Sequence, residues 1–249
     1  MTTTARLADA ELQLLHVTPK TIWAFLRLET DDGRSGWGEA TIPNDVGRLR
    51  QAAAAWVPTL RGEPATPALA DRFRRHGTPL TEAALVSSLD MALLDIEGQA
   101  RGQPIHALLG GAVRQHIPLY ANINRRTVER SPAAFAASAV AAIAAGYTIF
   151  KLAPFDEIDQ VRCAEGDIGC ALQPGLERIR ATREAIGPAA TLRVDCHWRF
   201  DPENAALMID ACRDFALDWI ECPIAETPDA AAAIATLRKR ATGHGCRLA

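Results

Sequence analysis

Hydrophobic and polar residues alternate along Leu12–Val17 and Thr21–Glu29, the two-residue period of strands with one buried face. Asp31-Asp32-Gly33 is a turn signal, and Ser35–Glu39 continues as a third strand, so the N-terminal part predicts a small antiparallel meander. The period then lengthens. Arg48–Leu60 and Pro67–Arg75 look helical, and Ala83–Ala100 is the strongest helix, with Leu85, Leu89, Ala92, Leu93 and Ile96 on one stripe. Gly98 and Gly102 mark its end.

After Gly110-Gly111 short apolar runs alternate with alanine-rich helices. Strands are predicted at Ile117–Tyr120, Ile149–Leu152, Leu192–Val194 and Trp219–Glu221. The intervening helices are Pro132–Ala145, Leu176–Ile186, Pro202–Phe215 and Pro228–Arg240, and a further strand begins near Cys246-Arg247-Leu248-Ala249. Repeated βα units imply a parallel sheet with right-handed crossovers, which a barrel or an open doubly wound sheet would satisfy equally.

Composition changes this picture little. The 249 residues suffice for one large domain or two ordinary ones, and 48% hydrophobic with 23% charged residues is ordinary for a globular protein. A net charge of −3 without a long basic run points away from nucleic acid and anionic membranes. The apolar stretches are too short to span a bilayer, and the N-terminus lacks a signal-peptide core, so a cytoplasmic protein is expected. No pair of the six cysteines has C-x-x-C spacing, which favours reduced, buried thiols. There is no dinucleotide fingerprint and no G-x-S-x-G elbow.

The chemistry lies at the strand ends. Lys151, Asp195 and Glu221 fall at or near the C-terminal ends of three successive predicted strands, where parallel βα folds collect their functional groups. Carboxylates on neighbouring strands, about 4.8 Å apart, repel unless a cation lies between them. Their hard oxygens favour Mg²⁺. Each acid alone could equally cap a helix or pair with an arginine. Lys151 in such a site could lose its proton and act as a base, or stay charged and stabilise an anion; it could also cover the rim with its stem. If the chain stays extended, His197 points to the same side as Asp195 and could be a general acid or base. Arg199 could hold a substrate carboxylate.

These residues resemble the enolase superfamily, in its mandelate racemase and muconate-lactonising branch. Gly36-Trp37-Gly38-Glu39-Ala40, Leu89–Gly98, Gly102-Gln103-Pro104-Ile105 and Leu108-Leu109-Gly110-Gly111 carry the resemblance, with Lys151, Asp195 and Glu221 in the family's order. The resemblance implies an α/β chain with an α+β cap: an N-terminal enolase-like capping domain over 1–113, then an incomplete TIM-type (β/α) barrel over 114–249, about half present. It implies Mg²⁺ held by Asp195, Glu221 and a third acid, and removal of the proton α to a carboxylate through an enediolate. Lys151 matches the first lysine of the family's K-x-K motif, and Ala153 stands at the second. The Asp195, His197, Arg199 spacing resembles that of the family's sugar-acid dehydratases, which makes a metal-dependent hydro-lyase the first expectation and a racemase or epimerase the second. A small-molecule sugar acid is the expected partner, a homo-oligomer the expected assembly, and the loop at 42–45 a contributor to specificity.

The chain ends before the family's fifth-strand ligand, so a sequence cut short is expected. A half-barrel would leave an inner apolar face and two strand edges exposed. The expectation is a chain that is unstable or self-associates, or a non-catalytic protein whose open face binds a partner.

Overall fold

A computed structural model describes residues 5–18, 21–43, 45–166 and 168–249; Asn44, in the loop expected to influence specificity, lies outside them. The chain divides into two compact units, 1–115 and 116–249.

In the first unit β1 (Leu7–Thr18), β2 (Thr21–Thr30) and β3 (Ser35–Glu39) form an antiparallel meander in that order. On β2 the alternate residues Ala24, Leu26, Leu28 and Thr30 are buried, the two-residue period seen in the sequence. Helices α1 (Val46–Trp56), α2 (Ala68–Asp71), α3 (Leu80–Arg101) and α4 (Ile105–Leu108) follow, α1 running on into a 3₁₀ turn over Val57–Leu60. The core joins the meander to α1 and α3 through Leu26, Leu28, Leu49, Leu85, Leu89 and Leu93.

The Gly-Trp-Gly run of β3 is a packing requirement. A Cβ on Gly38 would lie 1.8 Å from the Ser88 carbonyl oxygen of α3, and one on Gly36 would lie 2.1 Å from that of Ala92. Across the same contact the Trp37 amide donates to Asp95 Oδ2 (3.1 Å) and Gln99 Nε2 donates to the Ser35 carbonyl (2.6 Å). Gly102, at φ +61°, closes α3 in the left-handed conformation, whereas Gly98 lies buried within the helix. The predicted helix at Pro67–Arg75 shrinks to the single turn of α2. Its second half is charged apart from Phe73, which stacks on Trp56 at 4.9 Å, so no apolar stripe continues.

The second unit alternates β4 (Ala121–Asn122), α5 (Pro132–Ala144), β5 (Ile149–Leu152), α6 (Gln160–Ala164), α7 (Ile168–Ile186), β6 (Thr191–Asp195), α8 (Pro202–Ala211), β7 (Leu217–Glu221), α9 (Ala231–Gly243) and β8 (Arg247–Leu248). All five strands are parallel, and their spatial order β4-β5-β6-β7-β8 is their chain order. Ser131, Asp159 and Asp201 cap α5, α6 and α8 by accepting backbone amides three residues on.

Two strand and helix expectations need correction. Ile117–Tyr120 is not a strand: Ile117 and Leu119 are exposed and unladdered, and pairing begins only at Ala121, opposite Phe150. Helix α7 starts at Ile168, well before Leu176, and carries Pro174 inside it. Gly175 lets that helix close on Phe155, whose ring a Cβ would meet at 2.3 Å.

Phe150, Leu152, Leu192, Val194, Leu217 and Ile220 share one core with Phe135 of α5, Ile179 of α7 and Met208 and Ile209 of α8. Gathering the helices on one face distinguishes a barrel wall from a doubly wound sheet. The opposite face was expected to be apolar and is charged instead. Lys151, Arg193, Trp219 and Arg247 are register neighbours across it. A register shift makes Asp218 an extra residue in β7. Its carboxylate accepts from Arg193 Nε (2.8 Å) and Arg247 Nη2 (2.5 Å), and the Arg193 guanidinium lies 3.6 Å from the Trp219 ring centre. Each charge on this face therefore has a partner, which is why it need not be apolar.

Candidate active site

β5, β6 and β7 each deliver a charged residue to one place. Asp195 and Glu221 are directly paired in the β6–β7 register, and Lys151 lies one strand over. Lys151 Nζ donates to Asp195 Oδ2 at 2.9 Å and to both Glu221 oxygens at 2.9 Å. Lys151 and Asp195 are buried, and Glu221 is partly open. Burial alone pulls the Lys151 pKa down, but the hydrogen bonds and charges of Asp195 and Glu221 outweigh it and raise it above the ordinary lysine value. In this arrangement Lys151 is an ammonium ion, and the cation between the two carboxylates is the lysine itself. The Tyr120 ring, 5.5 Å from Nζ, lies against the same ammonium.

The β6–α8 loop carries His197. The chain is not extended there: His197 and Trp198 both have positive φ, +50° and +57°. Two successive non-glycine residues in the left-handed region cost about 1–3 kcal/mol each. The turn still brings the imidazole to Asp195, with Nε2 3.2 Å from Oδ2 and the His197 amide donating to Oδ1 at 3.1 Å. The ring is half exposed, so it can reach both Asp195 and solvent.

Arg199, expected to hold a substrate carboxylate, makes contacts within the protein. Its Nη1 donates to the Asp156 (3.1 Å) and Ile158 (2.7 Å) carbonyls of the β5–α6 loop. From the other side Gln160 Nε2 donates to the Trp198 (3.0 Å) and Phe200 (3.1 Å) carbonyls. Neither Gln160 nor Tyr120 carries a sequence signal: one opens a short helix, the other precedes a two-residue strand. Glu226 accepts from the Cys222 thiol (3.3 Å); burial, then this carboxylate, push that thiol up to about 12. Asp229 lies in the 3₁₀ turn Pro228–Ala230.

Asp195 and Glu221 supply the hard oxygens that Mg²⁺ prefers, and Mg²⁺ commonly takes only one or two protein carboxylates with water completing its shell. Among the described residues no group of three His, Cys, Asp or Glu side chains is arranged to hold a metal. Asp195 and Glu221 are the oxygens that would hold Mg²⁺, in competition with the Lys151 ammonium that bridges them.

Residues 7–110 match the family described as mandelate racemase / muconate lactonizing enzyme, N-terminal domain, and residues 134–247 match enolase C-terminal domain-like. The chain belongs to the mandelate racemase / muconate lactonizing enzyme family. Curated relatives in the family include the D-galactonate dehydratase of Verminephrobacter eiseniae, 29% identical over 223 residues. That match takes in 86% of this chain and 54% of the relative. The D-galactonate dehydratase of Ralstonia nicotianae is 30% identical over 81% of this chain and 52% of its own length. This chain thus spans about half the length of these curated relatives.

Among solved structures, a mandelate racemase/muconate lactonizing enzyme from Jannaschia sp. CCS1 superposes with a TM-score of 0.80. It is 25% identical and aligned over 94% of this chain and 65% of its own. An enolase protein from the Sargasso Sea environmental sequence gives 0.76 at 27% identity, over 96% and 63%. The fold is thus an enolase-like capping domain followed by part of a TIM-type barrel wall. Among the described residues, no helix is long and apolar enough to cross a membrane.

Proposed function

We propose that this protein takes part in dehydration of a sugar acid, by removal of the proton α to its carboxylate with Mg²⁺ bound at Asp195 and Glu221. The observation carrying the reading is the convergence of Lys151, Asp195, Glu221 and His197 at the ends of successive strands. The naming of relatives as D-galactonate dehydratases supports the substrate class.

Bound Mg²⁺ would draw electron density from the substrate carboxylate and so acidify the α-hydrogen. Lys151, held as an ammonium, stabilises negative charge as it develops on the substrate. His197, poised by Asp195, takes the α-proton as a base and hands it on to the departing hydroxyl group, which leaves as water. The enol left behind tautomerises to a 2-keto-3-deoxy acid, so atoms balance as substrate equals product plus water.

The test is incubation of the purified protein with Mg²⁺ and a panel of sugar acids that includes D-galactonate. Product is read as the semicarbazone of the 2-keto acid, with C2 proton exchange followed in D₂O. Mg²⁺-dependent product, abolished by chelator and by His197→Asn, is expected. Exchange without loss of water would replace dehydration by epimerisation. Neither product nor exchange with any acid would overturn the reading.

A further inference from the structure

The two left-handed residues that carry the imidazole are held by a reciprocal lock between loops. Gln160, the first residue of α6, reaches across to the carbonyls of Trp198 and Phe200. Arg199 reaches back to the carbonyls of Asp156 and Ile158. Phe155 and Phe200 meet edge to face at 5.3 Å beneath these bonds, and the Cys163 thiol donates to the Arg199 carbonyl at 3.6 Å. On the other flank the turn is tied to the end of β7 by backbone bonds alone: Cys196 N to Glu221 O (2.9 Å), Trp198 N to Cys222 O (2.7 Å) and Phe200 N to Pro223 O (3.1 Å).

The backbone bonds to β7 fix where the turn sits, and any residue could make them. The side-chain bonds to the β5–α6 loop are specific to Gln160 and Arg199, and they bracket the Trp198 peptide. A relaxed turn would swing both the Trp198 carbonyl and the His197 ring. We propose that Gln160 and Arg199 are positioning residues that hold His197 against Asp195, coupling the imidazole to the loop that follows Lys151. Arg199 thereby acts through His197 rather than by touching substrate. The proposal rests on the reading of His197 as the proton-transfer group.

Two-bond ¹H–¹⁵N correlation of the histidine rings at one fixed pH tests it, with Cα shifts of residues 197 and 198 reporting the sign of φ. His197→Asn assigns the ring signals, and Asp195→Asn defines the spectrum of a ring without its partner. Gln160→Met keeps the length and lacks the donor; Arg199→Ala removes the other half of the lock, and Arg199→Lys keeps one donor. The expected result is that Gln160→Met and Arg199→Ala move the His197 ring signals most of the way to the Asp195→Asn positions. The positive-φ Cα shifts should be lost and the rest of the spectrum kept, with Arg199→Lys falling between. Unchanged His197 signals in either folded variant would overturn the proposal. If Arg199→Ala does not fold, Gln160→Met decides alone. The spectra need no turnover, so failure of the dehydratase assay with an intact lock counts against the functional reading only.

Discussion

Replacing Lys151 by methionine removes the cation from between two carboxylates while keeping most of the side-chain volume. In the folded protein Nζ makes contacts of 2.9 Å to Asp195 and Glu221, with 7% and 9% of the lysine and aspartate side chains exposed. Breaking a buried ion pair by deleting one partner costs about 3–5 kcal/mol, because the remaining charge is stranded. Glu221 is 27% exposed and keeps some water, which places this case near the lower end, at about 3 kcal/mol. For a unit the size of residues 116–249 this lowers Tm by roughly 10 °C. Calorimetry in chelator measures it. Mg²⁺ at about 100 times its Kd returns about 2.7 kcal/mol, since the two freed carboxylates now bind it without competition. Neutralising them as well, in Lys151→Met with Asp195→Asn and Glu221→Gln, restores stability relative to the single variant and abolishes the Mg²⁺ response. A single variant within about 0.5 kcal/mol of wild type, or a triple variant less stable than the single, would refute the reasoning.

Gly38→Ala places a methyl group 1.8 Å from a helix backbone oxygen, so β3 and α3 must separate. A loss of about 2–3 kcal/mol is expected in urea unfolding of the first unit. Acid acts elsewhere. Burial raises the pKa of Glu157 and Asp218, but Arg178 beside the first, and Arg193 and Arg247 beside the second, pull both below their ordinary values. A carboxylate depressed in the folded state contributes stability above its unfolded pKa, about 4, and loses it as pH falls through the folded value. Urea midpoints should therefore hold from pH 7 to 5 and fall below about pH 4, with a shallower fall in Arg178→Met.

The meander, α3 and the strands that carry Lys151, Asp195 and Glu221 are legible because each has its own period and a boundary residue. Leu85, Leu89 and Ile96 are spaced for a helix and are buried in one, and Asp31-Asp32-Gly33 turns where it should. β4 was misplaced onto Ile117–Tyr120 because a two-residue strand has no period, and only its partner Phe150 decides where it pairs. The convergence of Lys151, Asp195 and Glu221 could be expected from strand order. That the lysine would itself bridge the acids could not, because it depends on side-chain distances set by the sheet. The left-handed turn at His197 was hidden for a related reason. Neither His197 nor Trp198 signals positive φ from sequence alone, and the groups bonded to the turn lie far away in the chain: Gln160 more than thirty residues earlier, and Cys222 and Pro223 beyond β7.

The strands of the second unit lie side by side in the order in which they are synthesised. Each new strand docks on the one made just before it, so every addition closes a loop of a few tens of residues and none must thread between strands already placed. A chain leaving the ribosome can therefore build this wall by accretion, one βα unit at a time. The cluster is assembled in the same sequence: Lys151 first, then Asp195, and last Glu221 to complete its set of carboxylate acceptors. Lys151 and Asp195 already balance in charge, so the arrival of Glu221 with β7 leaves the completed cluster one negative charge in excess.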